Sequence, residues 1–187
     1  MSIYNTGTYL YSILKVTYAK MFTITDHYDS LMGVKRQYPR PPLSKVITSI
    51  FDNPTHIIDN IYLGNAYNAA NYETLRNSNI KNIINITNNI PNYYEDYFEY
   101  KNYVMKDNNQ SLISEYLDDS YQYINRNKDK NILIHCYAGS SRSASLVLYY
   151  LIKKYNMTFD EANTLLKNKR DIVNINLTFI DEIKNNL

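Results

Sequence analysis

One short segment constrains the fold of this chain more than any other. The apolar run NILIH (131–135) is followed by the loop CYAGSS and then by RSASLVLYYLIKKY (142–155). The first run has the length of a buried strand, and the last has the length and apolar content of a packed helix. A strand that leads through a tight loop into a helix is the repeating unit of an α/β fold.

The same alternation of strands and helices continues on both sides of this segment. One or two short strands are predicted at 56–64, ending at Gly64, and further strands at 80–87 and 98–106. Further helices are predicted at 68–78, 114–126, 158–169 and 176–186. Ser114 is a suitable N-cap for one helix, and Thr158 with Glu161 forms the capping-box pattern of another. We therefore expect an α/β fold whose central, mostly parallel, twisted sheet carries helices on both faces.

Residues 1–50 differ from the rest of the chain. The stretch KRQYPRPPLSKV (35–46) is rich in proline, which favours extended backbone and is typical of a linker. We predict an N-terminal extension over 1–50 and one folded domain over 51–187. Two interpretations of the Tyr-rich stretch 1–20 stay open. In the first, it forms a helix that packs on a second copy of the chain and gives a homodimer. In the second, it forms a helix that covers its own domain.

Composition excludes several classes of protein. The formal charge is +2 over 187 residues, which gives no support for a nucleic-acid-coating or membrane-surface protein. A single cysteine excludes an internal disulfide and a cysteine zinc cluster, and the three histidines lack the spacing of metal ligands. No run approaches the roughly 20 apolar residues of a membrane span. We expect a cytoplasmic protein in a reducing compartment, without a metal or another cofactor.

The loop between the predicted strand and helix has the parts of an anion cradle. Ligands of α/β sheets bind beyond the carboxyl ends of the strands, where this loop must lie. Backbone N–H groups of a strand-to-helix loop and the N-terminus of the following helix attract an anion. Gly139 permits a backbone conformation that a side chain would hinder, and the guanidinium of Arg142 can hold two oxygens of a phosphate.

Cys136 stands at the head of this loop. The amide dipoles, the helix end and Arg142 would all stabilise its thiolate and lower the pKa of the thiol. Such a thiolate could attack phosphorus in line, and Ser143 could donate a hydrogen bond that makes the sulfur a better leaving group. A lone cysteine after a strand more often serves as a small packing residue. The spacing C-x5-R, with a glycine inside, a preceding histidine and a following serine, favours the nucleophile.

The segment HCYAGSSRS (135–143) matches the signature H-C-x-x-G-x-x-R-S of the cysteine-dependent protein phosphatases at every fixed position. The chain resembles the dual-specificity group of that family over residues 55–187. Residues 61–87 are similar to the family's first strand, helix and strand, and residues 90–108 are similar to the segment that ends in its general-acid loop. DIVNINLTFIDEI (171–183) is similar to its C-terminal motif, although Ile175 stands where the family usually has proline.

The resemblance implies a cysteine-phosphatase-like fold and a role for each residue of the site. Cys136 is the nucleophile that forms a phosphocysteine, Arg142 binds the phosphoryl oxygens, and Asp107 is the general acid and then the general base. His135 orients the cysteine backbone, and Ser143 assists the sulfur. The rest of the loop binds the substrate phosphate: Tyr137, Ala138, Gly139, Ser140 and Ser141. Without the resemblance, Asp107 in KDNN would be an ordinary turn residue.

The resemblance also implies the activity, a dual-specificity phosphatase that acts on phosphotyrosine and on phosphoserine or phosphothreonine of a protein partner. The positions between Cys136 and Arg142 carry no lysine, which relatives acting on inositol lipids tend to have. The RSAS at the end of the loop differs from the R-T-G of relatives acting on RNA 5′ ends. Two alternatives stay open: a phosphatase of one of those non-protein substrates, and a phosphate-binding interaction module without catalysis. Nucleic-acid and membrane partners are not expected.

Overall fold

The structure is a computed structural model, and it describes Asp29 and residues 33–39 and 42–187. The helix predicted for residues 1–20, and with it the expected contact to a second copy of the chain, lies outside the described residues. Within the described ranges, no helix is both long enough and apolar enough to cross a membrane.

Between residues 42 and 187 the chain forms seven helices and five strands. The helices are α1 (Leu43–Phe51), α2 (Ala66–Ala70), α3 (Tyr72–Asn77), α4 (Ser114–Arg126), α5 (Arg142–Tyr155), α6 (Phe159–Lys169) and α7 (Leu177–Asn185). The strands are β1 (Thr55–Ile58), β2 (Ile61–Gly64), β3 (Ile80–Asn85), β4 (Glu99–Asn102) and β5 (Asn131–His135).

The strands form one sheet in the order β1-β2-β5-β3-β4. β2, β5, β3 and β4 run parallel, and β1 is antiparallel to β2. β5 therefore lies in the middle of the sheet, which explains why its sequence is a continuous apolar run. The predicted α/β fold with a mostly parallel central sheet is confirmed.

Helices cover both faces of this sheet, and the side chains of β5 show how. Ile132 and Ile134 belong to the larger core, which α4, α5, α6 and α7 complete. Leu133 belongs to the smaller core, together with Leu75 of α3 and Ala69 of α2. Successive side chains of a strand point to opposite faces, so β5 is buried on both sides. This burial holds the strand, and therefore the start of the loop after it, in a rigid position.

Two predicted elements differ in extent from those in the structure. The stretch 68–78 forms two helices, α2 and α3, because the side chain of Asn71 accepts the N–H of Thr74 and caps a new helix there. The strand predicted at 98–106 ends at Asn102. The N–H of Tyr103 still donates to the carbonyl of Asn85 in β3 at 2.8 Å. Beyond it, the carbonyl of Met105 accepts Arg142 at 3.0 Å, so the last residues of the predicted strand lead from the sheet to the site.

One predicted helix cap is confirmed and one is wrong. Thr158 and Glu161 form the predicted capping box at the start of α6. α4 begins at Ser114, with Ile113 in the capping position, so Ser114 is not the N-cap. The N–H of Ser114 donates instead to the carboxylate of Glu182 at 2.9 Å. A side chain from the far end of the chain therefore replaces the local cap.

Residues 33–39, named here the N-terminal strap, lie against residues 174–177. The N–H of Gln37 donates to the carbonyl of Ile175 at 3.0 Å. Ile175 is fully buried, so the position where the family usually has proline is part of the core. The stretch 35–46, predicted as a linker, contributes to both the strap and the start of α1. The division of the chain at residue 50 stays a prediction.

Candidate active site

The loop of residues 136–141 connects β5 to α5 at the carboxyl edge of the sheet. The carboxyl ends of the parallel strands meet at this edge, where α/β folds bind their ligands. Backbone hydrogen bonds join the loop region to both neighbouring strands. Just past β2, the N–H of Ala66 donates to the carbonyl of Tyr137 at 3.1 Å. Just past β3, the N–H of Ile86 donates to the carbonyl of His135 at 3.0 Å.

Gly139 lies where this loop passes closest to β2. Its φ of +69° falls in the left-handed region. A Cβ at this position would collide with the carbonyl oxygen of Gly64, so both the backbone conformation and the space require glycine. With the backbone in this conformation, the N–H of Gly139 donates to the Sγ of Cys136 at 3.3 Å.

Cys136 is buried, with 2% of its surface exposed. Besides the N–H of Gly139, its Sγ accepts the hydroxyl of Ser143 at 3.2 Å. Burial alone would disfavour the thiolate. The charge of Arg142 and the hydrogen bonds from Ser143 outweigh burial, and they lower the pKa of Cys136 below its ordinary value. The thiolate, which is the nucleophilic form of cysteine, is therefore more favoured here than in an ordinary cysteine.

The hydroxyl of Ser143 should control the ionisation of this sulfur. We expect Ser143→Ala to raise the pKa of Cys136, because the lost hydrogen bond stabilises the thiolate and not the thiol. Alkylation by iodoacetamide should then reach its full rate only at a higher pH than in the wild type. Ser145→Ala is the matched control, since the Oγ of Ser145 donates to the carbonyl of Ser141 at 3.0 Å. Identical pH curves for Ser143→Ala and the wild type would contradict this role.

Arg142, the first residue of α5, is the cation of the site. It is 7% exposed, and its Nη1 donates to the carbonyl of Met105 at 3.0 Å. Its Nε is buried and has no hydrogen-bond partner among the described residues. Buried polar groups are nearly always paired in native proteins. The charge of Arg142 also stabilises the Cys136 thiolate. Its unpaired Nε–H therefore indicates a binding position for an anion.

Asp107 reaches the same loop from the segment after β4. The hydroxyl of Ser141 donates to Asp107 Oδ1 at 3.2 Å, and the Oγ of Ser141 accepts the N–H of Asn176 at 3.2 Å. The Asp107 side chain is 22% exposed, so it stays accessible from outside. The structure thus brings Asp107 to the loop that holds Cys136 and Arg142.

Comparison with known proteins agrees with this geometry. The family model of the dual specificity phosphatase catalytic domain matches residues 61–186. The chain belongs to the dual-specificity phosphatase family.

Several relatives of this phosphatase domain are known. Protein phosphatase Slingshot of Drosophila melanogaster is 36% identical over 141 residues, which are 74% of this chain and 14% of that protein. Dual specificity protein phosphatase 1 of Mus musculus is 33% identical over 144 residues, 75% of this chain and 39% of that protein. The chain therefore spans less than half the length of these curated relatives. The solved structure of human tyrosine phosphatase-like serine/threonine/tyrosine-interacting protein shares the fold, with a TM-score of 0.68 and 23% identity over 72% of this chain and 95% of that chain.

In this dual-specificity phosphatase domain, His135 is buried at the end of β5. Burial lowers its pKa to about 4, so the ring is neutral at neutral pH. Its Nδ1 lies 3.3 Å from the carbonyl oxygen of Cys136, which suits donation from an Nδ1–H. This contact supports the predicted role of His135 in holding the backbone of Cys136.

Three consecutive carbonyls of the loop of residues 136–141, named here the phosphatase loop, accept hydrogen bonds from groups outside the loop. Those of Ala138 and Gly139 accept hydrogen bonds from Arg170 at 3.2 and 2.9 Å, and that of Ser140 accepts the N–H of Asn174 at 2.8 Å. The N–H and C=O of a planar trans peptide point in opposite directions. The N–H on the opposite side of the first of these peptides, that of Gly139, donates to the Cys136 sulfur, and we expect the loop amides to hold phosphoryl oxygens on that side.

Arg170 is a site residue that sequence reasoning missed. It is 4% exposed, and burial lowers its pKa to about 10, so it keeps its charge at neutral pH. In the sequence it directly follows KNK (167–169) and is indistinguishable from the solvated cations of a helix end. Only the fold shows that it turns inward onto the loop. Arg36 of the N-terminal strap is a second such residue, because it contacts Asp107.

Proposed function

We propose that this chain is a protein phosphatase that hydrolyses phosphotyrosine, phosphoserine and phosphothreonine through a phosphocysteine on Cys136. One observation carries the proposal. Cys136, whose pKa is lowered, begins a loop that leads directly to Arg142 with its unpaired Nε–H, and Asp107 contacts this loop through the hydroxyl of Ser141. Membership of the dual-specificity phosphatase family supports the same chemistry.

In the first step, the thiolate of Cys136 attacks phosphorus on the side opposite to the ester oxygen. The electron pair of sulfur forms the S–P bond, while the P–O bond breaks and its electrons pass to the leaving oxygen. Asp107 gives its proton to that oxygen and becomes a carboxylate. A phenoxide or an alkoxide is a poor leaving group, so this proton transfer contributes about 10²–10⁴ in rate. Arg142 and the loop amides stabilise the charge on the other phosphoryl oxygens.

In the second step, a water molecule attacks the phosphorus of the phosphocysteine. The carboxylate of Asp107 takes a proton from this water, and an O–P bond forms as the S–P bond breaks. The electrons of that bond return to sulfur, where the hydroxyl of Ser143 stabilises the thiolate at 3.2 Å. Inorganic phosphate leaves, and both Cys136 and the protonated Asp107 are restored.

The loop supports a protein monoester as the substrate. Between Cys136 and Arg142 it presents backbone amides and no cationic side chain, so its own charge comes from one guanidinium. Backbone amides and one guanidinium suit a single phosphate dianion. A substrate with several neighbouring phosphates would gain from additional cations at the loop.

A substrate panel tests this proposal. We expect phosphotyrosine, phosphoserine and phosphothreonine peptides of one sequence to be hydrolysed. Their kcat/KM should exceed that of a short-chain phosphoinositide or a 5′-triphosphorylated RNA by at least about tenfold, because selectivity follows transition-state contacts. The measurement is phosphate release under identical conditions. Turnover of the lipid or the RNA alone would contradict the proposed substrate class, and tight peptide binding without turnover would favour a phosphate-binding module.

A further inference from the structure

Arg36 of the N-terminal strap contacts the carboxyl group of Asp107. Its Nη1 lies 3.1 Å from Oδ1 and 3.2 Å from Oδ2 of Asp107. On its other edge, Nε and Nη2 donate to the two oxygens of Asp29 at 3.0 and 2.9 Å. One planar guanidinium therefore joins two carboxyl groups that lie far apart in the sequence. Asp29 sets the orientation of the guanidinium, and the remaining edge faces Asp107.

This cluster is largely buried, although Asp107 keeps some exposure. The exposed fractions of the side chains are 17% for Arg36, 22% for Asp107 and 10% for Asp29. Burial alone would lower the pKa of Arg36, but Asp107 and Asp29 outweigh it and raise that pKa, so the guanidinium stays charged. Charge-assisted contacts of a planar guanidinium in such a setting are stronger and better oriented than exposed ion pairs.

The strap that carries Arg36 is itself fixed to the site. The N–H of Tyr38 donates to Asn174 Oδ1, and Asn174 Nδ2 donates to the carbonyl of Tyr38, both at 2.8 Å. The N–H of Asn174 binds the carbonyl of Ser140 in the phosphatase loop. At its other end, the strap carbonyl of Gly33 accepts Asn109 Nδ2 at 2.9 Å, two residues beyond Asp107. The strap is therefore tied both to the phosphatase loop and to the segment that carries the acid.

We propose that Arg36 is a positioning residue for Asp107, which holds the carboxyl group at the phosphatase loop and stabilises the carboxylate formed as its proton passes to the leaving oxygen. The inference rests on the proposed function, in which Asp107 is the general acid. A fixed cation beside a charge that develops in the transition state accelerates that step. Arg36 then contributes to catalysis, although it lies outside residues 61–186, which the family model matches.

The test compares two esters that differ in their need for an acid, phenyl phosphate and 2,4-dinitrophenyl phosphate. The measured quantity is kcat/KM, which reports the steps up to departure of the leaving group. We expect Arg36→Gln to lower it about tenfold for phenyl phosphate, a part of the about 10²–10⁴ that general acid catalysis supplies. For the dinitrophenyl ester, whose leaving group needs no proton, the change should stay within about twofold. Lys35→Gln, which removes an exposed charge from the same strap, should change neither value.

Two further variants complete the test. Arg36→Lys should keep part of the activity on phenyl phosphate, because an ammonium keeps the charge but not the planar fork of the guanidinium. If Arg36→Gln does not fold, the two esters are compared with Arg36→Lys instead. In an Asp107→Asn background, Arg36→Gln should have no additional effect. Equal losses on both esters, or an additional loss in that background, would overturn the inference. If Asp107→Asn itself affects both esters equally, the proposed acid fails together with the inference; if it separates them and Arg36→Gln does not, the inference alone fails.

Discussion

Replacement of Cys136 by serine is expected to abolish turnover while the fold and phosphate binding persist. Loss of the nucleophile in an enzyme that works through a covalent intermediate costs on the order of 10⁶ in kcat. A serine hydroxyl in the same place is not ionised at neutral pH, so the contacts that stabilise the Cys136 thiolate have no anion to act on. The loop amides and Arg142 are unchanged, and phosphate should still bind to them.

The measurement combines kinetics with trapping of the intermediate. Wild-type enzyme quenched in acid during turnover should carry one phosphate on the peptide that contains Cys136, and Cys136→Ser should carry none. Since this is the only cysteine of the chain, a thiol-linked phosphate can come from no other residue. Binding of a phosphopeptide, followed by its effect on thermal unfolding, controls for the fold. Turnover near the wild-type rate in the serine variant would exclude the phosphocysteine mechanism.

Replacement of Asp107 by asparagine is expected to have the second largest effect. The amide neither gives a proton to the leaving oxygen nor takes one from water, so kcat/KM on a phosphotyrosine peptide should fall by about 10²–10³. The dependence of kcat/KM on pH should also differ between the wild type and the variant, because the amide exchanges no proton. Phosphopeptide binding should persist, because Asp107 is not one of the phosphate-binding groups.

Asp96→Asn is the matched control, since Asp96 is an exposed carboxylate just before β4, the strand that Asp107 follows. It should leave both the rate and the pH profile as in the wild type. If Asp107→Asn keeps the pH profile of the wild type, another group is the acid. If it loses phosphopeptide affinity to the same extent as rate, Asp107 contributes to binding and not to proton transfer.

The loop from Cys136 to Arg142 was predictable from sequence because its chemistry is contiguous. Local apolar patterns predict the strand before it and the helix after it. The cysteine, glycine and arginine all lie within the short segment 136–142. Asp107 was predicted through the family resemblance alone, since an aspartate in a polar turn has no distinctive pattern of its own. The positions of the strands and long helices followed in the same way from apolar periodicity.

Arg36 and Arg170 could not be predicted, because their partners are distant in sequence. A buried arginine that holds carbonyls or a carboxylate has the same neighbours in the sequence as a solvated one. The N–H of Ser114 illustrates the same limit, since its acceptor, Glu182, is supplied from 68 residues away. The cytoplasmic location and the self-association of residues 1–50 stay predictions.

The contact between Tyr38 and Asn174 spans 136 residues of the chain. Closing so long a loop costs conformational entropy, and such distant contacts form late in folding. On the ribosome the strap emerges long before residue 174 is made. During that interval the strap lacks the side chain that holds Tyr38, even when the sheet has begun to assemble. A nascent chain would therefore complete its site only after residue 174 is made, and full activity would appear only once the two ends of this span have met.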